Sequence, residues 1–405
     1  MNKHDHDHQH HAESQRPPIT LIVAAALMLI ALGVIGRSGA PDIQAQTNPN
    51  EETVEARVIA VLDEGVLDQG GIQLPYQRLR LEILTGSRAG RAVEVDYGTQ
   101  GFVSSEVMYR ADDHVLVTQL IRPDGGEVFF ITEPDRLGAL LALGLLFVAA
   151  IVAVSRWKGV RSLIGMAVSL YVITQFILPM ILAGRDPVLV SIIGAFGLLS
   201  VTQYLIYGWS TKTHAAIFGI LLSLIITGTL ASIFVEAARF TGFGAEEVGF
   251  LRAALGSINP RGLLLAGILI GAIGVLDDLT ISQASAVFEL ARANPSYGVR
   301  ELYRRAMNIG QDHIASTVNT LVLAYVGASL PLLLLFAIYP QPFGQIINRE
   351  FVAEEVVRTL VGSLGLVAAV PLTTLIACVL TGRRIAPTAA PGSIEPPRRE
   401  DRETG

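Results

Sequence analysis

The chain has 405 residues, 51% of them hydrophobic and only 16% charged, with a formal charge of -6. Soluble domains carry about 25% charged residues, so this deficit, concentrated in long apolar runs, points to a membrane protein and away from an ordinary soluble one. The mild negative balance argues against a nucleic-acid partner, and the single cysteine, Cys378, excludes an internal disulfide and a CxxC metal site.

Residues 1–18 form a polar tail in which His4, His6, His8, His10 and His11 alternate with carboxylates. Neutral imidazoles beside carboxylates can hold a divalent metal weakly. The competing reading is a solvated tail. A bilayer-spanning helix needs roughly 20 apolar residues. Eight stretches qualify: about 19–36, 137–155, 160–183, 187–207, 213–235, 262–284, 314–338 and 356–380. The first lacks a clear A-x-A cleavage site and reads as an uncleaved anchor.

Between the first and second runs lies the one soluble domain, 52–133. Segments 54–61, 78–84, 91–95, 115–120 and 128–131 read as short strands, several alternating with period two. Turn signals separate them, such as Thr85-Gly86-Ser87 and Tyr97-Gly98. Five or six strands in about 80 residues suit a small OB-like barrel. Its role reads as structural or partner docking, with ligand sensing as the alternative.

Lys and Arg in the short loops set the orientation. With the N-terminus inside, the cytoplasmic segments hold 15 basic residues and the short outer loops seven. Both termini are therefore expected in the cytoplasm and the β domain outside.

Two carboxylates interrupt the sixth run. Asp277 and Asp278 lie about 20–23 Å beyond Leu263 at 1.5 Å per residue, past the midplane. An acid there costs roughly 3 kcal/mol and normally faces protein or water. Asp278, Ser282, Ser285 and Glu289 recur at helical spacing and form one stripe. The next helix carries another: Asn308, Asp312, Ser316 and Asn319. Paired antiparallel by depth, Asp278 falls near Asn319, Ser282 near Ser316 and Ser285 near Asp312. This polar seam reads either as interhelical glue or as a pathway for an ion, proton or small solute. Asp278, in line with the stripe, is the expected functional carboxylate. Asp277 is rotated away from it. No HExxH, GxSxG, GxGxxG or Walker loop is present, so no catalytic residue is assigned and no cofactor is implied. The C-terminal residues 383–405, rich in Pro, Arg and Glu, read as a disordered cytoplasmic tail.

The fold class that follows is an all-α polytopic membrane protein of about eight transmembrane helices, with an extracytoplasmic all-β domain after the first. The order of parts resembles the YibE/F family of bacterial membrane proteins. The resemblance rests on Gly274-Val275-Leu276-Asp277-Asp278-Leu279-Thr280-Ile281-Ser282-Gln283-Ala284-Ser285, on Met307-Asn308-Ile309-Gly310-Gln311-Asp312, and on the Asn319–Pro331 segment. It covers roughly 52–382, with a seven-helix block over 137–382. The family's Asp-x3-Ser-x2-Ser-x3-Glu pattern falls on Asp278, Ser282, Ser285 and Glu289. Asp277 stands where the family more usually has an apolar residue. The resemblance implies fold, topology and the bacterial plasma membrane, and carries no biochemical activity. A permease for an ion or small solute is one expectation. A non-transporting scaffold or sensor, with its β domain on a partner or envelope ligand, is the other. The expected partners are the lipid bilayer, the ion or solute, and a homo-oligomeric or other membrane partner.

Overall fold

The computed structural model describes residues 19–39, 51–69, 72–98, 108–122, 126–256 and 258–385. The His-rich tail and residues 386–405 lie outside that set. The chain divides into two compact units, one of 42–159 and one combining 1–41 with 160–405.

The first unit holds a curled antiparallel sheet in the order β3-β2-β1-β4-β5. Its strands are β1 (Glu51–Gln69), β2 (Ile72–Ile83), β3 (Ala92–Tyr97), β4 (His114–Ile121) and β5 (Glu127–Pro134). The alternation expected from the sequence fills one face: Val54, Ala56 and Val58 of β1 pack with Leu79, Leu81 and Ile83 of β2 and Val115 and Val117 of β4. β1 is much longer than the expected 54–61 segment. Its first residues pair with β4, while the strand from Ala56 onward pairs with β2. Register shifts between Val58 and Ala60 and between Val61 and Asp63 bend it. The result is a half-barrel, and Glu127 of β5 closes it toward the β2–β3 turn by ion pairs with Arg88 and, at 2.6 Å, Arg91. Gln77, 1% exposed, acts as a side-chain rung: its Oε1 accepts from Tyr109 N at 2.8 Å and its Nε2 donates to Tyr109 O at 3.1 Å.

After the sheet, α2 (Leu137–Val172) contains a break at Arg156, with φ 51 and ψ -129. Residues eight apart in a continuous helix are separated by about 12 Å. A Cβ at Gly159 would instead lie 2.6 Å from the Ile151 carbonyl oxygen. The chain therefore folds back locally at Arg156, and only glycine fits at 159.

The second unit is a helical bundle. It holds α1 (Ile19–Gly39), the rest of α2, a π-helical turn at Ile173–Ile177 and α3 (Leu178–Leu182), then α4 (Pro187–Tyr207) and α5 (Thr211–Ala237). Next come α6 (Glu246–Leu255), α7 (Pro260–Ala293), α8 (Val299–Ala328), α9 (Leu330–Ile338), α10 (Phe343–Ile347) and α11 (Glu350–Ile385). The helix starts follow from their caps: Asp186 accepts from Leu189 N, Ser210 from Thr213 N and Asn259 from Gly262 N.

Helix directions follow from close approaches. Gly262 meets Pro187 and Asp277 meets Gln203, so α4 and α7 run parallel. Gly267 meets Arg358 and Gln283 bonds Thr374, so α11 runs with them. α5 runs against α11, with Gly219 on Thr373 and Gly365 on Thr227. α8 runs against α7, with Tyr325 near Gly271 and Ala306 bonded to Gln283. In each helix pair a glycine lets the partner approach closely.

Among the described residues, five helices are long and apolar enough to cross a bilayer, or six if the bent pair α8–α9 counts as one span. The sequence predicts eight. Leu137–Leu182 counts once in this tally, although its 46 residues cover two of the expected runs. The described apolar part of α1, Ala26–Ser38, falls short of a span on its own. The expected span 314–338 is bent by 62° where α8 ends and α9 begins. Pro331 sits just inside α9, and proline, which lacks an N–H, cannot continue the preceding helical ladder.

Candidate functional site

α7 carries both aspartates near its middle, and the neighbouring helices treat them differently. Asp277 is half-buried where α4 crosses, and the buried Gln203 donates its Nε2 proton to Asp277 Oδ1. The other end of that amide, Gln203 Oε1, is buried and has no hydrogen-bond partner among the described residues. Asp278, about 100° further round the helix, is exposed. Two adjacent carboxylates therefore have separate environments, one against α4 and one open.

Ser282 and Ser285 are half-buried, and Glu289 is exposed. Ser285 turns its hydroxyl back to Ile281 O at 2.7 Å, and Glu289 pairs with Arg292 at 3.1 Å. On α8, Asn308, Asp312, Ser316 and Asn319 are all exposed. Within one chain, among the described residues, no hydrogen bond joins the two stripes. The faces that do meet are different. Gln283, fully buried, donates to Ala306 O at 2.9 Å and to Thr374 Oγ1 at 2.8 Å. Gly310 sits against Val370 and Gln283. The antiparallel hairpin is present, then, but it closes through Gln283, Ala306 and Gly310.

Sequence reasoning missed both glutamines. Gln203 is the sole amide in the apolar run 187–207, and Gln283 stands inside the aspartate motif. A lone amide in a membrane run is itself a signal, because it must find a partner.

Along the face of Asp278 toward the start of α7, Gly271 borders a narrow crevice between α7, α8 and α11. Tyr325, Arg358 and Gly362 also line it. Arg358 pairs with Glu355 of its own helix at 3.4 Å. No group of three or more His, Cys, Asp or Glu side chains is placed to hold a metal among the described residues.

Apolar helices of spanning length around an acidic pair define a multi-pass membrane protein. The family model described as YibE/F-like protein matches residues 143–383, more than half of the chain. The chain belongs to this family. No curated protein and no solved structure matches it.

Proposed function

We propose that the chain is a plasma-membrane permease for an ion or small solute, working through the acidic pair of α7 and the stripe that continues from it. The observation that carries this reading is the asymmetry of the pair. Asp277 is tied to Gln203, and Asp278 is open beside Ser282 and Ser285. An intramembrane carboxylate that no helix of its own chain pairs for packing is available as a binding or relay group. The site comprises Asp278, Ser282, Ser285 and Glu289 with Asn308, Asp312, Ser316 and Asn319, and Asp277 supports it.

The finer architecture belongs to the same reading. The reversal at Arg156 makes 137–155 and 160–183 two spans. With α1 and the α8–α9 pair, the count is eight. The alternating helix directions put Lys212, Arg292, Arg300, Arg304, Arg305, Arg383 and Arg384 at one end of the bundle, and Arg185, Arg239, Arg252, Arg261 and Arg349 at the other. On this reading the more basic end is cytoplasmic, as the positive-inside rule favours, with both termini inside and the β domain outside. The strand order 3-2-1-4-5, with β1 shared between β2 and β4, suits a partly open five-stranded barrel of the OB type.

The test is ion and metabolite profiling of cells with the wild-type chain, the Asp278→Asn variant, or neither. The expected outcome is a solute difference carried by the wild type and lost in the variant at equal membrane abundance. Identical profiles in all three would end the permease reading. They would favour a scaffold or sensor, for which Ile59, Leu62 and Val66, exposed on the long β1 strand, supply a docking face.

A further inference from the structure

We propose that the chain works as a two-fold symmetric homodimer in which the α8 stripe of each copy closes the α7 stripe of the other. This goes beyond the permease reading and stands whether or not the site transports.

The argument starts from the buried side of α8. Leu302, Ala306 and Gly310 are its buried residues, and they face α7 and α11. Asp312 follows Gly310 by two residues, about 200° round the helix. It therefore points out of the bundle, as do Ser316 and Asn319, and all three are exposed. Ser316 and Asn319 lie in the apolar half of α8. A polar group facing hydrocarbon without a partner is strongly disfavoured, so this line needs a polar cover.

The complementary line is on the same molecule. Asp278 is exposed on α7, with Ser282 and Ser285 half-covered behind it. The contacts of Gly271 with Tyr325 and of Gln283 with Ala306 set the hairpin's register. That register levels Asp278 with the Asp312–Ser316 turn and Ser282 with Asn308. A two-fold axis along the membrane normal keeps every residue at its own depth. Lines that are level in one copy are therefore level between copies, and each is satisfied twice in an isologous interface. The hydrogen-bonding senses also match. Asp278 only accepts, and Ser316 can donate to it. Ser282 and Asn308 can each both donate and accept. A second copy supplies this cover, where lipid does not.

The experiment uses two differently tagged full-length chains in one membrane, both with Cys378→Ala. One carries Asp278→Cys and the other Ser316→Cys. A short bis-maleimide is expected to link the two tags. It is expected to give little link within a single chain carrying both substitutions. Predominant linkage within the single chain would overturn the proposal. So would labelling of the Ser316→Cys thiol by a lipid-dissolved carbene probe with no link between tags. A second measurement counts copies by single-molecule photobleaching in native nanodiscs. Ser316→Leu with Asn319→Leu is expected to raise the monomer fraction at least tenfold while the chain still elutes as a folded peak. An unchanged dimer fraction, or a wild-type monomer, would refute the interface.

Discussion

At Asp277 the energetics turn on what its partner loses. The sequence alone suggests that Asp277→Leu is mild, since it removes an acid costing roughly 3 kcal/mol in the bilayer. Gln203 changes that expectation. Its amide is 1% exposed, its oxygen is already unpartnered, and Asp277 accepts its one side-chain hydrogen bond. Asp277→Leu strands a buried donor, which costs about 1–3 kcal/mol. Replacing both partners by apolar groups is close to neutral. Asp277→Leu is therefore expected to lower the thermal midpoint in detergent, and Gln203→Leu added to it to restore most of the loss. Equal midpoints for the single and double variants would show that the pair contributes nothing. Asp278→Asn, with no such partner in its own chain, is expected to leave the midpoint of the single chain unchanged. In the β domain, Glu127 offers a pH test. Burial works against its charge, but the hydrogen bond from Arg91 and the charge of Arg88 outweigh this and hold its carboxyl below the usual glutamate value. A depressed folded-state value contributes stability above the unfolded value, and that contribution is lost as pH falls through the folded one. The β domain is thus expected to loosen on acidification below the ordinary glutamate range. Glu127→Gln is expected to flatten that loss, read as protease sensitivity of the domain between neutral and acidic pH. A variant as acid-sensitive as the wild type would remove the clasp from the account.

At the scale of elements, α5 and α11 meet through two reciprocal glycine–threonine contacts, Gly219 on Thr373 and Gly365 on Thr227. A methyl at Gly365 would overlap Thr227 Oγ1, and overpacking of this kind costs about 1–3 kcal/mol. Gly365→Ala is expected to lower stability by that amount. Thr227→Ala is expected to rescue it, because the clashing oxygen is then gone. A lack of rescue, measured by the midpoints of the three variants, would mean that the helices do not meet there. The runs that form α4, α5, α7 and α11 were legible because each is of spanning length with few charges. The β strands were legible from period-two alternation, as in the alternately exposed and buried residues of β3. The full length of β1 was not, because its bulges at Ile59 and Leu62 interrupt the alternation. Nor was the bond between Gln203 and Asp277, since a contact between residues 74 apart leaves no local trace. The polar stripes could be read from spacing. The face that each presents to its neighbour depends on the crossing of two helices, which spacing does not contain.

At the scale of the whole molecule, the test is sidedness. Three features support the proposed orientation, the last of them already counted in the first. The short-loop basic residues divide 15 to seven. The helices of the bundle alternate in direction as successive crossings require. The reversal at Arg156 falls beside Lys158 and Arg161, so this tight turn between 137–155 and 160–183 carries three cations and no acid. A turn of that charge favours the cytoplasmic face. In that orientation α1 runs outward to the β domain and α11 runs inward to the C-terminus. Single cysteines in a Cys378→Ala background report this directly, because Cys378 itself is fully buried. Ser38→Cys, after α1, and Arg110→Cys, in the β domain, are expected to react with an impermeant maleimide in intact cells. Ser162→Cys and Ser296→Cys are expected to react only after the membrane is opened. Reaction of the Ser162→Cys and Ser296→Cys chains in intact cells, with the Arg110→Cys chain protected, would invert the molecule. Reaction of both the Arg110→Cys and the Ser162→Cys chains in intact cells would mean that 137–155 does not cross the membrane, and the count of eight would fall.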